Sequence, residues 1–345
     1  MLMGRGSRRV LLSLLLTLAC RGAATFTARS QGALEAEAGS CKGEAVMIRT
    51  YLPTEAMVKR FQRIIEEIEP ERQVIISYGT LKDPKEANLL SVSEGLRHNS
   101  TEIIEEKPVF LDDLYKRFGK QRVVVTSDDM MLKNFPDMRN LPSYFTLMKR
   151  ADGTEFGIQT WARGYHDEYI YTAMREYERV TGEKWNGCGL WVWEDDLEYT
   201  GNFKQLFDKY SGTADLISEQ AHPLPKEKEH RLRWSSQKFR DEYVVDNKVH
   251  RHREHLTYQS RRFLDAWGNA MKRGVHAHSE FGTATFCAVK GFKQRNVDLD
   301  DMDDRTPRNG WFVTTRHLHS QEEMKAHVEQ MRKQGKAVLI HPCKY

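Results

Sequence analysis

Three acidic residues, Glu194, Asp195 and Asp196, follow directly on the apolar, aromatic run Leu190-Trp191-Val192-Trp193. Carboxylates two positions apart, as Glu194 and Asp196 are, can offer oxygens to one hard divalent cation, and such donors suit Mg2+ or Mn2+ better than softer ions. A cation held that way can share the oxygens of a diphosphate. The same residues would also serve as an acidic turn at the start of a helix, where negative charge is stabilised. A second acidic pair, Asp128 and Asp129, closes another apolar stretch and competes for the same role. Further on, His276, His278 and Glu280 alternate; in a strand they would share one face and form a His-x-His-x-Glu metal set of the kind a hydrolase uses.

A short apolar run reads as a buried central strand, and it would deliver Glu194 and its neighbours to the carboxyl edge of a sheet, where α/β proteins bind ligands. Upstream, residues 46–48 and 74–78 read as strands. Between them Met57, Phe61, Ile64, Ile65 and Ile68 recur at helical spacing over 54–69, with Thr54 as N-cap. This β-α-β start carries no Gly-x-Gly-x-x-Gly loop, which disfavours a dinucleotide cofactor. Helices are predicted over 110–118, 165–181, 254–273 and 320–333, and strands over 122–126 and 337–340. Residues 223–240 read as a solvated charged stretch. Trp161, Trp191, Trp193 and Trp267 are core aromatics or stacking surfaces for a sugar or base.

The net charge of +4 arises from 53 basic and 49 acidic residues that are interspersed, so no basic field marks a nucleic-acid partner. Residues 1–26 have the plan of a secretory leader: Arg5, Arg8 and Arg9 precede an apolar run ending at Cys20, and Ala23-Ala24-Thr25 supplies small residues for cleavage. A signal anchor tethering the chain through residues 8–25 and a two-part plastid address are the alternatives. Residues 27–43 read as a flexible stem and 44–345 as a single α/β domain. Cys41, Cys188, Cys287 and Cys343 form no Cys-x-x-Cys pair; they make disulfides in an oxidising lumen or remain buried thiols. Asn99-Ser100-Thr101 is a glycosylation acceptor. The acidic run 298–304 lacks the glycine and terminal glutamate of an EF-hand and reads as a solvated loop.

Trp193-Glu194-Asp195-Asp196-Leu197, followed by Tyr199-Thr200-Gly201-Asn202-Phe203, resembles the acidic motif of nucleotide-sugar glycosyltransferases with a type A (GT-A) fold. The order continues through the helix at 203–210 and Ala214-Asp215-Leu216-Ile217. His278-Ser279-Glu280-Phe281, with Thr283, Thr285 and Cys287, resembles that family's Glu-bearing acceptor segment. Ile340-His341-Pro342-Cys343-Lys344 resembles its closing His-Pro-x-Lys, with Cys343 where a small aliphatic residue is more usual. The matches span 190–345; the amino-terminal half agrees only in element order.

The resemblance implies one Rossmann-like GT-A domain with a mostly parallel central sheet flanked by helices. It implies sugar transfer from a nucleotide-sugar donor to a glycan or glycoprotein acceptor in the secretory pathway. Mn2+ or Mg2+ would be held by Glu194, Asp196 and His341, the donor contacted by Asp128, Glu194 and Asp195, and the acceptor deprotonated by Glu280 acting as general base. Two other classes remain: a secreted metal-dependent hydrolase built on His276, His278 and Glu280, and a non-catalytic carbohydrate-binding relative.

Overall fold

The computed structural model describes residues 43–51, 53–80, 109–149, 155–162, 164–224, 232–244, 249–303, 321–341 and 343. Strand β1 (Glu44–Thr50) pairs in parallel with β2 (Gln73–Thr80), Val46 facing Val74 and Ile48 facing Ile76. Helix α1 (Glu55–Ile68) makes the crossover. It starts where Thr54 Oγ1 accepts a hydrogen bond from Met57 N at 3.3 Å, and its three-four spacing buries Met57, Phe61, Ile64 and Ile68 against the sheet.

After α2 (Leu111–Phe118), β3 (Val123–Ser127) and α3 (Asp128–Asn134), a separate antiparallel pair forms from β4 (Tyr144–Lys149) and β5 (Glu155–Thr160). Then come α4 (His166–Thr181), β6 (Gly189–Glu194), β7 (Glu198–Tyr199), α5 (Phe203–Tyr210), β8 (Leu216–Pro223), α6 (Gln237–Tyr243) and β9 (His250–Ser260). The described chain closes with α7 (Arg261–Lys272), α8 (Ser279–Lys290), β10 (Gln294–Asn296), α9 (Gln321–Lys333) and β11 (Leu339–Ile340).

The main sheet has the order β10-β8-β9-β6-β1-β2-β3, with β6 at its centre. Strand β9 runs antiparallel to β6 and β8, and the remaining pairings are parallel. The fold is therefore α/β with a mostly parallel sheet. Alternation along the strands sends side chains to two cores. Val46, Ile48, Trp191 and Trp193 meet Phe61, Phe203 and Phe207 on one face. Ala45, Met47, Leu190 and Val192 meet Ile170, Ala173 and Tyr177 of α4 on the other. Trp191, Trp193 and Trp267 are core residues, fully buried, and Trp161 is partly buried.

Three sequence expectations are corrected. The helix expected over 254–273 begins only at Arg261, because Ser260 caps it by accepting from Phe263 N at 3.3 Å; 254–260 belong to β9. The strand that would align His276, His278 and Glu280 does not form: His276 and His278 flank Ala277, which makes a single bridge to Ser235, and Glu280 lies in the first turn of α8. There His278 is the N-cap, its Nδ1 accepting from Glu280 N at 3.3 Å. The charged stretch at 223–240 also contains the start of α6, whose Phe239 is buried.

The acidic run is less solvated than expected: Lys209 pairs with Asp298 and Asp301, and buried Asp303 pairs with His327 at 2.8 Å. Cys188 is disulfide-bonded, whereas Cys287 and Cys343 are buried thiols. No helix among the described residues is long and apolar enough to cross a membrane. The leader with its tether alternative, the stem up to residue 42, Asn99, Pro342 and Lys344 lie outside the described residues.

Asp215 ties the far side of the sheet together. Its carboxylate accepts from Ser260 Oγ at 2.8 Å, from Lys293 N at 2.9 Å and from the Arg262 guanidinium. Burial raises the pKa of this carboxyl, but the Arg262 bond and the others outweigh it, so the folded value lies below the ordinary one. A depressed folded pKa contributes stability above the unfolded value of about 3.9, and that contribution is lost as pH falls through the lower folded value. Asp215→Asn should therefore cost about 2 kcal/mol at pH 7. In urea unfolding the gap between variant and parent should narrow progressively as pH falls below about 3.9; a gap independent of pH would contradict the assignment.

Candidate functional site

Strand β6 ends at Glu194, and the chain turns at once, with Leu197 N donating to Glu194 O at 3.1 Å and Trp193 Nε1 to Leu197 O at 3.0 Å. Parallel β1 ends alongside, so Arg49 sits beside Glu194 in register. The Glu194 carboxylate divides its oxygens. Oε1 is taken by the Arg49 guanidinium, and Oε2 faces two imidazoles, His341 Nε2 at 3.7 Å and His255 Nε2 at 3.9 Å. His341 Nε2 also lies 3.1 Å from Asp196 Oδ1. Burial would raise the Glu194 pKa, but Arg49, then His255 and His341, prevail over that and over Asp196, and hold it at about 2.

Asp195 turns away from this group. Its Oδ2 accepts from Thr50 Oγ1 at 2.7 Å and Tyr51 N at 3.2 Å, which fastens the turn to the end of β1. Burial and the charge of Asp196 push it up to about 6 despite those bonds. Asp128 likewise spends its carboxylate on the backbone, accepting from Ala162 N at 2.9 Å and Trp161 N at 3.3 Å. Glu280, in the first turn of α8, faces Arg253 NH1 at 3.6 Å and Arg251 NH2 at 3.9 Å.

Sequence reasoning did not pick out His255. Continuing the register beyond Trp193↔Leu256 sets it beside Glu194. Its Nδ1 lies 2.8 Å from Glu219 Oε2, and although burial disfavours its charge, Glu219, then Glu194 and Asp196, push its pKa up to about 9. Glu194, His255 and His341 offer ligand atoms within 4.8 Å of one another, the one such group of three found among the described residues. Asp196 joins it through His341. The donor set fits a divalent ion: carboxylate oxygens and imidazole nitrogens converge.

His341 reaches the site because the carboxyl-terminal segment is bracketed against the acidic turn. β11 pairs antiparallel with β7, Ile340 facing Glu198. Gly201 is required there, since a Cβ would meet that of Ala337 at 2.6 Å. Buried Arg60 joins both segments: Nε donates to Glu198 Oε2 at 2.8 Å, NH1 to Asp195 O and NH2 to Cys343 O at 3.3 Å, while Cys343 N donates to Asp196 O at 2.6 Å. Glu198 also holds Arg63 and Arg332, each at 3.1 Å, so removing Arg60 costs chiefly its bonds to the Asp195 and Cys343 carbonyls, about 1–3 kcal/mol for each group left unpaired. Arg60→Met should thus lower the unfolding midpoint sharply and weaken ion binding about 10-fold. Calorimetric unfolding and ion titration read the two effects.

No protein-family model matches the sequence, and no curated protein matches it. Among solved structures, the chain is similar to the galactosyltransferase LgtC, solved with donor and acceptor sugar analogues, at 8% identity and TM-score 0.34 over 81% of each chain. Mouse xyloside xylosyltransferase 1 aligns at 12% identity and TM-score 0.30, over 75% of this chain and 85% of the other. The mannosyltransferase Ktr4p from S. cerevisiae aligns at 10% identity and TM-score 0.31, over 71% and 64%. Identities this low do not carry chemistry from one protein to another.

Proposed function

We propose that this protein transfers a sugar from a nucleotide-sugar donor to a glycan or protein acceptor, with the donor diphosphate bound at the carboxyl end of β6 beside a divalent ion. One observation carries the proposal: His341, remote in sequence, comes to 3.7 Å from Glu194 and 3.1 Å from Asp196 at the edge of an α/β sheet where such ligands bind. Glu194 Oε2, Asp196 Oδ1 and His341 Nε2 are the atoms that would hold the ion. When bound, Mn2+ or Mg2+ would neutralise the departing diphosphate as a Lewis acid.

The remaining residues do work of their own. Arg49 neutralises part of the acidic turn and stands at the same sheet edge. Asp195 keeps the turn fixed to Thr50 and Tyr51. Asp128 shapes the nucleoside side by holding the Trp161–Ala162 backbone. Glu280 takes the proton of the acceptor hydroxyl. The disulfide-bonded Cys188 supports the secretory pathway as the compartment, since disulfides persist where conditions are oxidising.

The hydrolase alternative has less support. His276 is buried and given to Glu168 at 2.9 Å, and His278 to the cap of α8. The test is a panel of nucleotide sugars followed by thermal shift and by nucleoside diphosphate release, each with Mn2+ and with chelator. One donor should stabilise the protein and be consumed only when the ion is present. Ion-independent behaviour across the panel would overturn the proposal, and ion-dependent binding without any product would leave a carbohydrate-binding relative.

A further inference from the structure

We infer that His255, oriented by Glu219, is an additional ligand in the proposed ion site and makes that site selective for a transition ion such as Mn2+ or Co2+ over Mg2+. The inference rests on the ion-dependent reading above and goes beyond its three ligands, Glu194, Asp196 and His341.

Two independent features of the fold bring these groups together. The first is the antiparallel strand β9, whose register against β6 continues to place His255 beside Glu194, with Nε2 3.9 Å from Glu194 Oε2. Its ring stacks on that of His341, with centroids 3.7 Å apart and planes at 27°. Both Nε2 atoms thus address the same carboxylate oxygen. The second is an irregularity in β8. Its register against β9 shifts on both sides of Glu219, between Ser218 and Glu219 and again between Glu219 and His222. Such bulges re-aim a side chain. Here the Glu219 carboxylate, at 0% exposure, ends 2.8 Å from His255 Nδ1, and its Oε1 accepts no hydrogen bond from the described residues.

A wholly buried carboxylate is costly to keep. What this one achieves is to fix the His255 ring at Nδ1, so that Nε2 is turned to the Glu194 and His341 group. A carboxylate–histidine pair of this kind is how proteins orient a metal-bound imidazole. The consequence is chemical. Mg2+ prefers oxygen donors in near-ideal octahedral geometry and dehydrates reluctantly, whereas imidazole nitrogen suits transition divalent ions, whose affinities rise along the series from Mn2+ to Co2+. Two imidazoles with carboxylates therefore tilt the site away from Mg2+.

The test uses the full chain, freed of metal by chelator and titrated with CoCl2 or MgCl2 alone by calorimetry. Nitrogen couplings to bound Mn2+ are counted by pulsed electron paramagnetic resonance on protein carrying 15N-histidine. The parent should show two coupled histidines and His255→Gln one. Co2+ affinity should fall about 10- to 100-fold in His255→Gln and about 10-fold in Glu219→Gln, while Mg2+ affinity changes less than about threefold in either. A parent with a single coupled histidine would overturn the inference without recourse to any variant, as would equal weakening of Co2+ and Mg2+ in Glu219→Gln. A parent that binds neither ion removes the ion-dependent reading itself, and this inference with it.

Discussion

Asp196→Asn is expected to raise the Mn2+-dependent Kd for a nucleoside diphosphate about 100-fold, a loss of about 2.7 kcal/mol, while the fold stands. The side chain is near isosteric, and the backbone bond that matters to the turn, Cys343 N to Asp196 O at 2.6 Å, does not involve it. What disappears is one negative charge facing His341 Nε2 at 3.1 Å. Oxygen donors of hard cations work through that charge. Calorimetric titration of the diphosphate with Mn2+, beside circular dichroism and thermal melts, separates the effects. Equal affinity in variant and parent would remove Asp196 from the site, and a large fall in melting temperature would show a structural role instead.

Glu280→Gln is expected to lower turnover by about 10²- to 10⁴-fold with donor affinity within about threefold of the parent. Glutamine keeps the length and shape of the side chain in the first turn of α8, so the cap made by His278 persists. It cannot accept the acceptor's proton. Arg251 and Arg253 lie 3.9 and 3.6 Å from the carboxylate and keep it oriented beside β9. Single-turnover transfer assays with saturating donor measure the chemical step. Full activity in the variant would place the base elsewhere. Loss of bound ion in Glu280→Gln, with none in Asp196→Asn, would return the chemistry to His276, His278 and Glu280.

The parts of this molecule that could be read from its sequence are those whose signals are local. Leu190 to Trp193 is uninterruptedly apolar because β6 is covered on both faces, so Glu194 is recognisable as the residue at its carboxyl end. Helix α1 declares itself by apolar spacing and by its cap, Thr54. His255 gave no such signal. Its strand begins His250-Arg-His-Arg-Glu-His255, with polar residues on both faces, and its partners Glu194, Glu219 and His341 come from other strands or the chain's end.

Leu256, Phe263, Leu264, Trp267 and Met271 happen to fall near helical spacing across the true boundary, and the cap at Ser260 was the available warning. The start of α8 misleads in the opposite sense. Alternating His276, His278 and Glu280 mimic a strand, and Gly282, Thr283 and Thr285 are poor helix formers. Burial of Phe281, Ala284 and Phe286 decides for the helix.

The central claim is that one ion joins Glu194, Asp196 and His341 with the donor diphosphate. Anomalous scattering from crystals soaked with Mn2+ and a nucleoside diphosphate tests it most directly. The account predicts a single strong peak about 2.0–2.4 Å from Glu194 Oε2 and His341 Nε2, with Asp196 Oδ1, His255 Nε2 and diphosphate oxygens also in the shell. A peak at His276 and His278, or a diphosphate bound with no ion beside Glu194, would contradict it.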